Sequence, residues 1–183
     1  VLVLLDRDGV INEDRTDFVK SPDELVFIPN ALEAIAALNA ARHYVVIVTN
    51  QSCIGRGLIT EETLTSIHNK LRTELRRQNG KIDQIFFAPD TPWEATENRK
   101  PGAGMIRSAL SQFRTAPEHA VMIGDSLRDL QAAQKAGCHR ILVQTGKGLK
   151  TQKDGFDPEI LPITVAKDLS EATRFILDGR FKP

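Results

Sequence analysis

The sequence predicts an α/β fold: a doubly wound, mainly parallel sheet of the Rossmann-like kind, with no large cap domain. Three features lead there. Short apolar runs recur at 1–5, 44–48, 82–87, 120–123 and 140–143, with a weaker one at 163–166. None alternates cleanly between polar and apolar residues, so each reads as a strand covered on both faces. Segments of helical character stand between them at 31–41, 61–78, 103–113, 127–136 and 169–177, the alternation that builds parallel sheets. The chain has 183 residues, 41% of them hydrophobic, which suits one core. One domain over 1–183 is expected.

Taken in order, the first run, VLVLL, stops abruptly at Asp6. Residues 9–29 then mix charges with Phe18, Phe27 and two prolines, an excursion expected to fold back over the sheet edge and too short for a separate domain. The helix at 61–78 has Thr60 placed to cap it and Gly80 just beyond its end, and Gly137 marks the stop of the helix at 127–136. The third strand is followed by APDTPWEATENRKPG, residues 88–102, a polar loop with three prolines that ends on Arg99 and Lys100. Loops of this length without internal structure are often functional.

Composition removes several functions. Lys plus Arg equals Asp plus Glu at 24 each, so no global field draws nucleic acid or an anionic membrane. Neither partner is expected. No apolar run nears the roughly 20 residues of a bilayer span. The two cysteines, Cys53 and Cys138, have no metal-ligand or disulfide-framework spacing, which favours a reducing, cytoplasmic setting. The chain opens at Val1 inside an apolar run without Met, so a short N-terminal segment is expected to be missing. A monomer is expected.

Ligands of open α/β sheets bind beyond the carboxyl ends of the strands. The segments there are LDRDGVIN, TNQSCIGRG, the 88–102 loop ending in RKPG, and GDSLRD. Asp6 and Asp8 flank Arg7 at the end of an apolar run. Two carboxylates so close repel unless a cation binds them or one holds a proton. Asp125 adds a third on the same rim, and hard oxygen ligands beside a phosphate suit Mg²⁺. With that charge offset, Asp6 can attack phosphorus, and Asp8 can protonate the leaving alkoxide and then deprotonate water. Thr49, with the amides after it, and Lys100 would supply donors to the phosphoryl oxygens. Singly, each of these residues is as well explained as a turn, a helix cap or a solvated charge. Their succession after four strands is what carries the chemistry.

The four motifs DRDG, TN, the Lys of RKPG, and GDSLRD resemble those of the haloacid dehalogenase superfamily in type, order and spacing. The resemblance implies that Asp6 is the nucleophile and Asp8 the general acid/base. It also implies Mg²⁺ on the Asp6 carboxylate, the Asp8 backbone carbonyl and Asp125, with Asp129 as a supporting carboxylate. Together with FVKSPDE, RKPGAGM and GDSLRDLQAAQKAGC, the chain up to VQTGKG is similar to the branch that holds heptose-bisphosphate and histidinol phosphatases. The expected activity is Mg²⁺-dependent hydrolysis of the 7-phosphate of D-glycero-D-manno-heptose 1,7-bisphosphate through an aspartyl phosphate. Histidinol phosphate or a broad range of sugar phosphates is the enzymatic alternative, and a catalytically idle phospho-ligand module is the alternative of another class.

For substrate contacts the sequence offers Asp14, Arg15, Thr16 and Asp17 in the excursion, and Asn50, Gln51 and Ser52 beside Thr49. Ser126, Arg56 and Arg99 complete the set, with Lys147 a further cation, and the arginines suit a second phosphate. The four histidines, 43, 68, 119 and 139, lack ligand spacing and receive no chemistry. In one respect the chain departs from its family, whose members carry a Cys/His zinc site just before RKP. The matching positions here are Ala88, Asp90, Thr96 and Asn98, so no zinc is expected. Pro89, Pro92 and Trp93 are expected to stiffen and anchor the loop instead.

Overall fold

The computed structural model describes residues 1–181. Its six strands are β1 (Leu2–Leu5), β2 (Tyr44–Asn50), β3 (Gln84–Ala88), β4 (Ala120–Gly124), β5 (His139–Val143) and β6 (Thr164–Ala166). All pair in parallel, in the order β3-β2-β1-β4-β5-β6. The connections leave β1 toward β2 on one side and reach β4 on the other. That reversal opens a crevice beyond the carboxyl ends of β1 and β4, the strands that Asp6 and Asp125 follow.

Helices α1 (Ala31–Ala40), α2 (Ser52–Gly55), α3 (Glu61–Arg77), α4 (Gly104–Gln112), α5 (Leu127–Ala136), α6 (Gly148–Asp154) and α7 (Leu169–Leu177) complete the architecture. Successive side chains of a strand face opposite ways. Val3 and Leu5 therefore join the core under α1, α3 and α7, through Ile35, Leu71 and Ala172, while Leu2 and Leu4 pack toward α4 and α5 with Ile106 and Ala133. Each such buried aliphatic side chain contributes about 1.5–3 kcal/mol, and the strand ends are fixed as firmly as the core that holds them.

Thr60 caps α3, its hydroxyl accepting the Thr63 N–H at 3.2 Å, and Gly137 ends α5 in the left-handed region at φ +80°. The strand and helix positions agree with the sequence to within about two residues, the usual uncertainty of element ends. Helices α2 and α6 were not foreseen. A single turn has no periodicity to read, and the apolar residue of α6, Leu149, is exposed. The excursion at 9–29 stands at β1, in the middle of the sheet rather than beside an outer strand. Its Val10, Ile11, Val19, Leu25 and Ile28 belong to the core, and Lys70 of α3 ties it down through the Pro22 and Leu25 carbonyls at 2.8 and 3.3 Å.

Candidate active site

The turn after β1 is wound around one carbonyl. Arg7 O accepts the N–H groups of Ile11 at 2.8 Å and Asn12 at 3.2 Å, while the Asp6 N–H stays tied to Ile123 O of β4 at 3.0 Å. Gly9 sits at φ +85°, and a side-chain carbon there would overlap Asp125 Oδ2, so only glycine lets the two carboxylate-bearing loops meet. Asp6 Oδ1 accepts the Arg7 N–H at 2.8 Å. Asp8 Oδ1 accepts Arg7 Nη2 at 2.9 Å, Arg7 Nε at 3.3 Å and Asn12 Nδ2 at 2.8 Å, and its Oδ2 accepts Gln51 Nε2 at 2.9 Å. Burial alone would raise the Asp8 pKa. The Arg7 charge and the hydrogen bonds from Asn12, Arg7 and Gln51 outweigh it and hold the group below the usual carboxylate range.

Lys100 arrives from the long loop and is clamped at its backbone by Asn50. The Asn50 Nδ2 donates to Lys100 O and its Oδ1 accepts the Lys100 N–H, both at 3.0 Å. The buried ammonium donates to Val48 O at 2.8 Å and Asp129 Oδ1 at 2.7 Å, and pairs with Asp6 Oδ1 at 2.9 Å. Desolvation works against its charge, but Asp129 and Asp6 more than compensate and push its pKa up. Asp129 is itself saturated: its Oδ2 accepts the N–H of Asp125 at 3.2 Å, the N–H of Ser126 at 3.0 Å and the Ser126 hydroxyl at 2.8 Å.

Asp6, Asp125 and Asp129 bring carboxylate oxygens within 4.8 Å of one another. Burial pushes Asp125 up to about 8, with Asp6 and Asp129 adding repulsion. Burial likewise pushes Asp6 up to about 6, although Lys100 opposes it. Asp125 is held for the purpose, its Oδ2 accepting the Lys147 N–H at 2.8 Å. With Asp129 committed to Lys100 and the α5 turn, the pair short of positive charge is Asp6 and Asp125. A hard divalent cation suits such a pair of oxygen donors.

From this pair a cleft of about 320 Å³ runs outward. Of the residues expected to touch substrate, Asp14, Arg15, Thr16, Asn50, Ser52, Arg56, Arg99 and Ser126 line it, together with Lys147. Three residues stand elsewhere. Asp17 pairs at the surface with Arg15 and Lys20, where solvation is less costly than in the cleft. Gln51 is buried and bridges Asp8 Oδ2 to Thr49 Oγ1, 2.9 Å from each, which makes it a support for Asp8 rather than a contact to substrate. Thr49 is fully buried beneath the cleft floor with its Oγ1 accepting from Gln51, so the amides after it are better placed as donors than its hydroxyl.

The cleft also gathers Arg56, Arg99 and Arg128, close enough together for their charges to act on one another. Burial and the Arg128 and Arg56 charges depress the pKa of Arg99, the mark of like charges held together without enough counter-charge. Arg56 lies over the Trp93 ring at 5.0 Å and the Phe18 ring at 5.6 Å, a stacked setting that guanidinium favours. Trp93 is 66% exposed, so it covers Arg56 and does not anchor the loop in the core. Among the positions that match the family's zinc ligands, Asp90 accepts both the N–H of Thr96 at 2.8 Å and its hydroxyl at 2.5 Å, while the Thr96 hydroxyl oxygen also accepts the Asn98 N–H at 3.2 Å. Arg99 Nη1 donates to Asp90 O at 3.0 Å. Hydrogen bonds thus close the loop across those positions.

The sequence did not single out Arg7, Asn12, His68 or Arg128. For Arg128 a signal exists, since the first turn of a helix that starts at the rim points residues into the crevice.

Comparisons with known proteins place the chain among phosphatases of the same fold. A HAD-hydrolase-like family model matches residues 97–172. The chain is 44% identical, over 96% of its length and 97% of the relative's, to the D-glycero-beta-D-manno-heptose-1,7-bisphosphate 7-phosphatase of Bordetella bronchiseptica. It is 45% identical to the enzyme of the same name from Neisseria meningitidis, over 82% of this chain and 80% of that one. The crystal structure of the B. bronchiseptica D,D-heptose 1,7-bisphosphate phosphatase complexed with magnesium and phosphate superposes with a TM-score of 0.93, covering 97% of this chain and 98% of that one.

Proposed function

We propose, for a chain that belongs to the D-glycero-D-manno-heptose-1,7-bisphosphate 7-phosphatase family of HAD-like hydrolases, a Mg²⁺-dependent phosphatase that removes the 7-phosphate of D-glycero-D-manno-heptose 1,7-bisphosphate. The observation that carries the reading is the meeting of Asp6, Asp8, Lys100 and Asp125 at the point where the sheet order reverses. Asp8 first takes up a proton from solvent, against the Arg7 charge that favours its anion; Asp6 then attacks phosphorus, the ester P–O bond breaks, and Asp8 gives that proton to the leaving sugar alkoxide. Water then loses a proton to Asp8, its oxygen attacks phosphorus, and Asp6 is released with free phosphate. Lys100 favours the ionised form of Asp6 and the charge on the phosphoryl oxygens. The whole chain acts as one phosphatase domain.

Mg²⁺ fits the Asp6 and Asp125 carboxylates with the Asp8 backbone carbonyl. When bound it supplies the positive charge that lets one anion attack another. The carboxylates also imply a pH dependence. In the metal-free chain both are raised above the ordinary aspartate value near 3.9, so the folded state binds more protons than the unfolded one. Their contribution to stability is full below about pH 4 and is lost as pH rises through about 6 and then about 8. Mg²⁺ must displace the Asp125 proton near neutrality, so its affinity should climb between about pH 6 and 8. Titration calorimetry at pH 7 in buffers of different ionisation enthalpy should register proton release; equal heats in all buffers would refute this account.

The second phosphate belongs at Arg56, Arg99 and Arg128. Loss of one charged hydrogen bond there costs about 1.5–3 kcal/mol. Arg128→Ala or Arg56→Ala should therefore raise KM for the bisphosphate roughly 10- to 100-fold, while KM for a sugar monophosphate holds. Equal changes for both substrates would remove these arginines from the distal subsite.

The β anomer is the one we assign, because the relatives 44–45% identical are named for it. The deciding experiment is phosphate release, with and without Mg²⁺, from both anomers of the bisphosphate, from histidinol phosphate and from sugar monophosphates. A preference for histidinol phosphate would overturn the substrate, and no Mg²⁺-dependent release from any would favour an idle ligand-binding module. A monomer in the cytoplasm completes the proposal. Both cysteines are free and buried, as a reducing compartment allows.

A further inference from the structure

Arg7 stands between the nucleophile and the acid/base, and its side chain has no part in the mechanism above. It is 0% exposed. Its backbone N–H holds Asp6 Oδ1 at 2.8 Å, and its Nη2 and Nε hold Asp8 Oδ1 at 2.9 and 3.3 Å. One residue thus grips both carboxylates. The remaining arm, Nη1, turns away from the cleft to His68 Nε2 on α3 at 3.1 Å.

Guanidinium offers only donors, so His68 Nε2 must accept, which leaves the ring neutral with its proton on Nδ1. The surroundings agree: burial and the charges of Arg7 and Arg72 drive the His68 pKa down to about 3. A second support comes from Asn12. Its Nδ2 donates to Asp8 Oδ1 at 2.8 Å even though its own Oδ1 is left buried without a partner, a cost accepted to keep the amide in that direction.

The consequence is an asymmetric carboxyl. Asp8 Oδ1 faces N–H donors from Arg7 and Asn12 and has no room for a proton. Its Oδ2 meets only the Gln51 amide and keeps a lone pair for the cleft that Asp8 lines. We propose that Arg7, seated on a neutral His68, is the positioning residue of the acid/base, fixing Asp8 so that Oδ2 alone gives the proton to the leaving alkoxide and later takes one from water. The proposal rests on the phosphatase reading. The rival account is that Arg7 only balances buried charge.

Leaving-group dependence separates the two. An alkoxide needs its proton as the P–O bond breaks, whereas p-nitrophenolate leaves as a stable anion, and kcat/KM covers the chemistry up to loss of the leaving group. The Mg²⁺-loaded full chain is assayed with a sugar phosphate and with p-nitrophenyl phosphate. His68→Leu, which removes the acceptor, should lower kcat/KM for the sugar phosphate on the order of 10- to 100-fold and that for p-nitrophenyl phosphate by less than about threefold. His68→Gln, which restores an acceptor, should recover most of the loss. Arg7→Lys keeps the buried charge but not the fork, and it guards against misfolding of the leucine variant. It should show the same selective loss, with calorimetric binding of inorganic phosphate unchanged. Parallel losses on both esters in His68→Leu and Arg7→Lys would overturn the positioning role and leave the phosphatase reading intact. Wild-type protein inert toward both esters would overturn the reading itself, and the proposal with it.

Discussion

Asp6→Asn should leave a folded chain that binds phosphate and does not turn it over. The amide keeps the shape of the carboxyl, and its oxygen can still accept from the Arg7 N–H and from Lys100, which reach Asp6 Oδ1 at 2.8 and 2.9 Å. What is lost is the anionic oxygen that must bond to phosphorus. Removal of a nucleophile from a working set costs many orders of magnitude, so kcat should fall by about 10⁴-fold or more. Stability should move the other way. Asp6 repels Asp125, which sits at about 8, and neutralising it lowers that pKa and relieves the cluster near neutral pH. The metal-free variant should therefore melt no lower than wild type at pH 7.5, and it should bind inorganic phosphate at least as tightly. Turnover above about a tenth of wild type would remove Asp6 from the nucleophile's role.

Which parts of this site a reader of the sequence can see follows from the range of the forces involved. Asp6 and Asp125 are visible because an apolar run that stops on a charge is a local pattern, and a parallel sheet puts every such stop on one rim; Lys100 is visible because the long polar loop after the third strand ends on it. The sheet order is a long-range property, and with it the placing of β1 beside β4. Arg7 shows the limit. Within DRDG it looks like a solvated charge, yet it is fully buried, because an acceptor 61 residues away on α3 and the Asp8 carboxylate together satisfy it. The sequence makes Gln51 a contact to the substrate and Thr49 a donor to the phosphoryl oxygens, and the structure turns Gln51 inward to bridge Asp8 and the Thr49 hydroxyl. The 88–102 loop was legible as a zinc loop without ligands, but the Asp90–Thr96 closure and the Trp93 cover over Arg56 depend on geometry that spacing does not encode.

Lys100→Met should damage stability and rate together, and the two effects can be pulled apart. The ammonium is buried and serves three acceptors at once: Asp6 Oδ1, Asp129 Oδ1 and Val48 O. Its removal strands two carboxylates and a carbonyl. Breaking a buried pair costs about 3–5 kcal/mol, which for a chain of this length is a fall in Tm of roughly 6–20 °C. The same change removes a preorganised positive charge from the transferring phosphoryl group, which should lower kcat by about 10²- to 10³-fold. Asp129→Asn in the Lys100→Met background takes away one stranded charge, and its remaining oxygen can still accept from Asp125 and Ser126. That double variant should regain several degrees of Tm and none of the lost kcat, because Asp129 is what the ammonium stabilises for the fold and Asp6 is what it serves in the reaction. Thermal melts read beside Mg²⁺-saturated kcat values test the division. If activity returned together with stability, Lys100 would be a structural cation whose loss merely loosened the site, and the transferring phosphate would have to draw its charge compensation from elsewhere in the cleft.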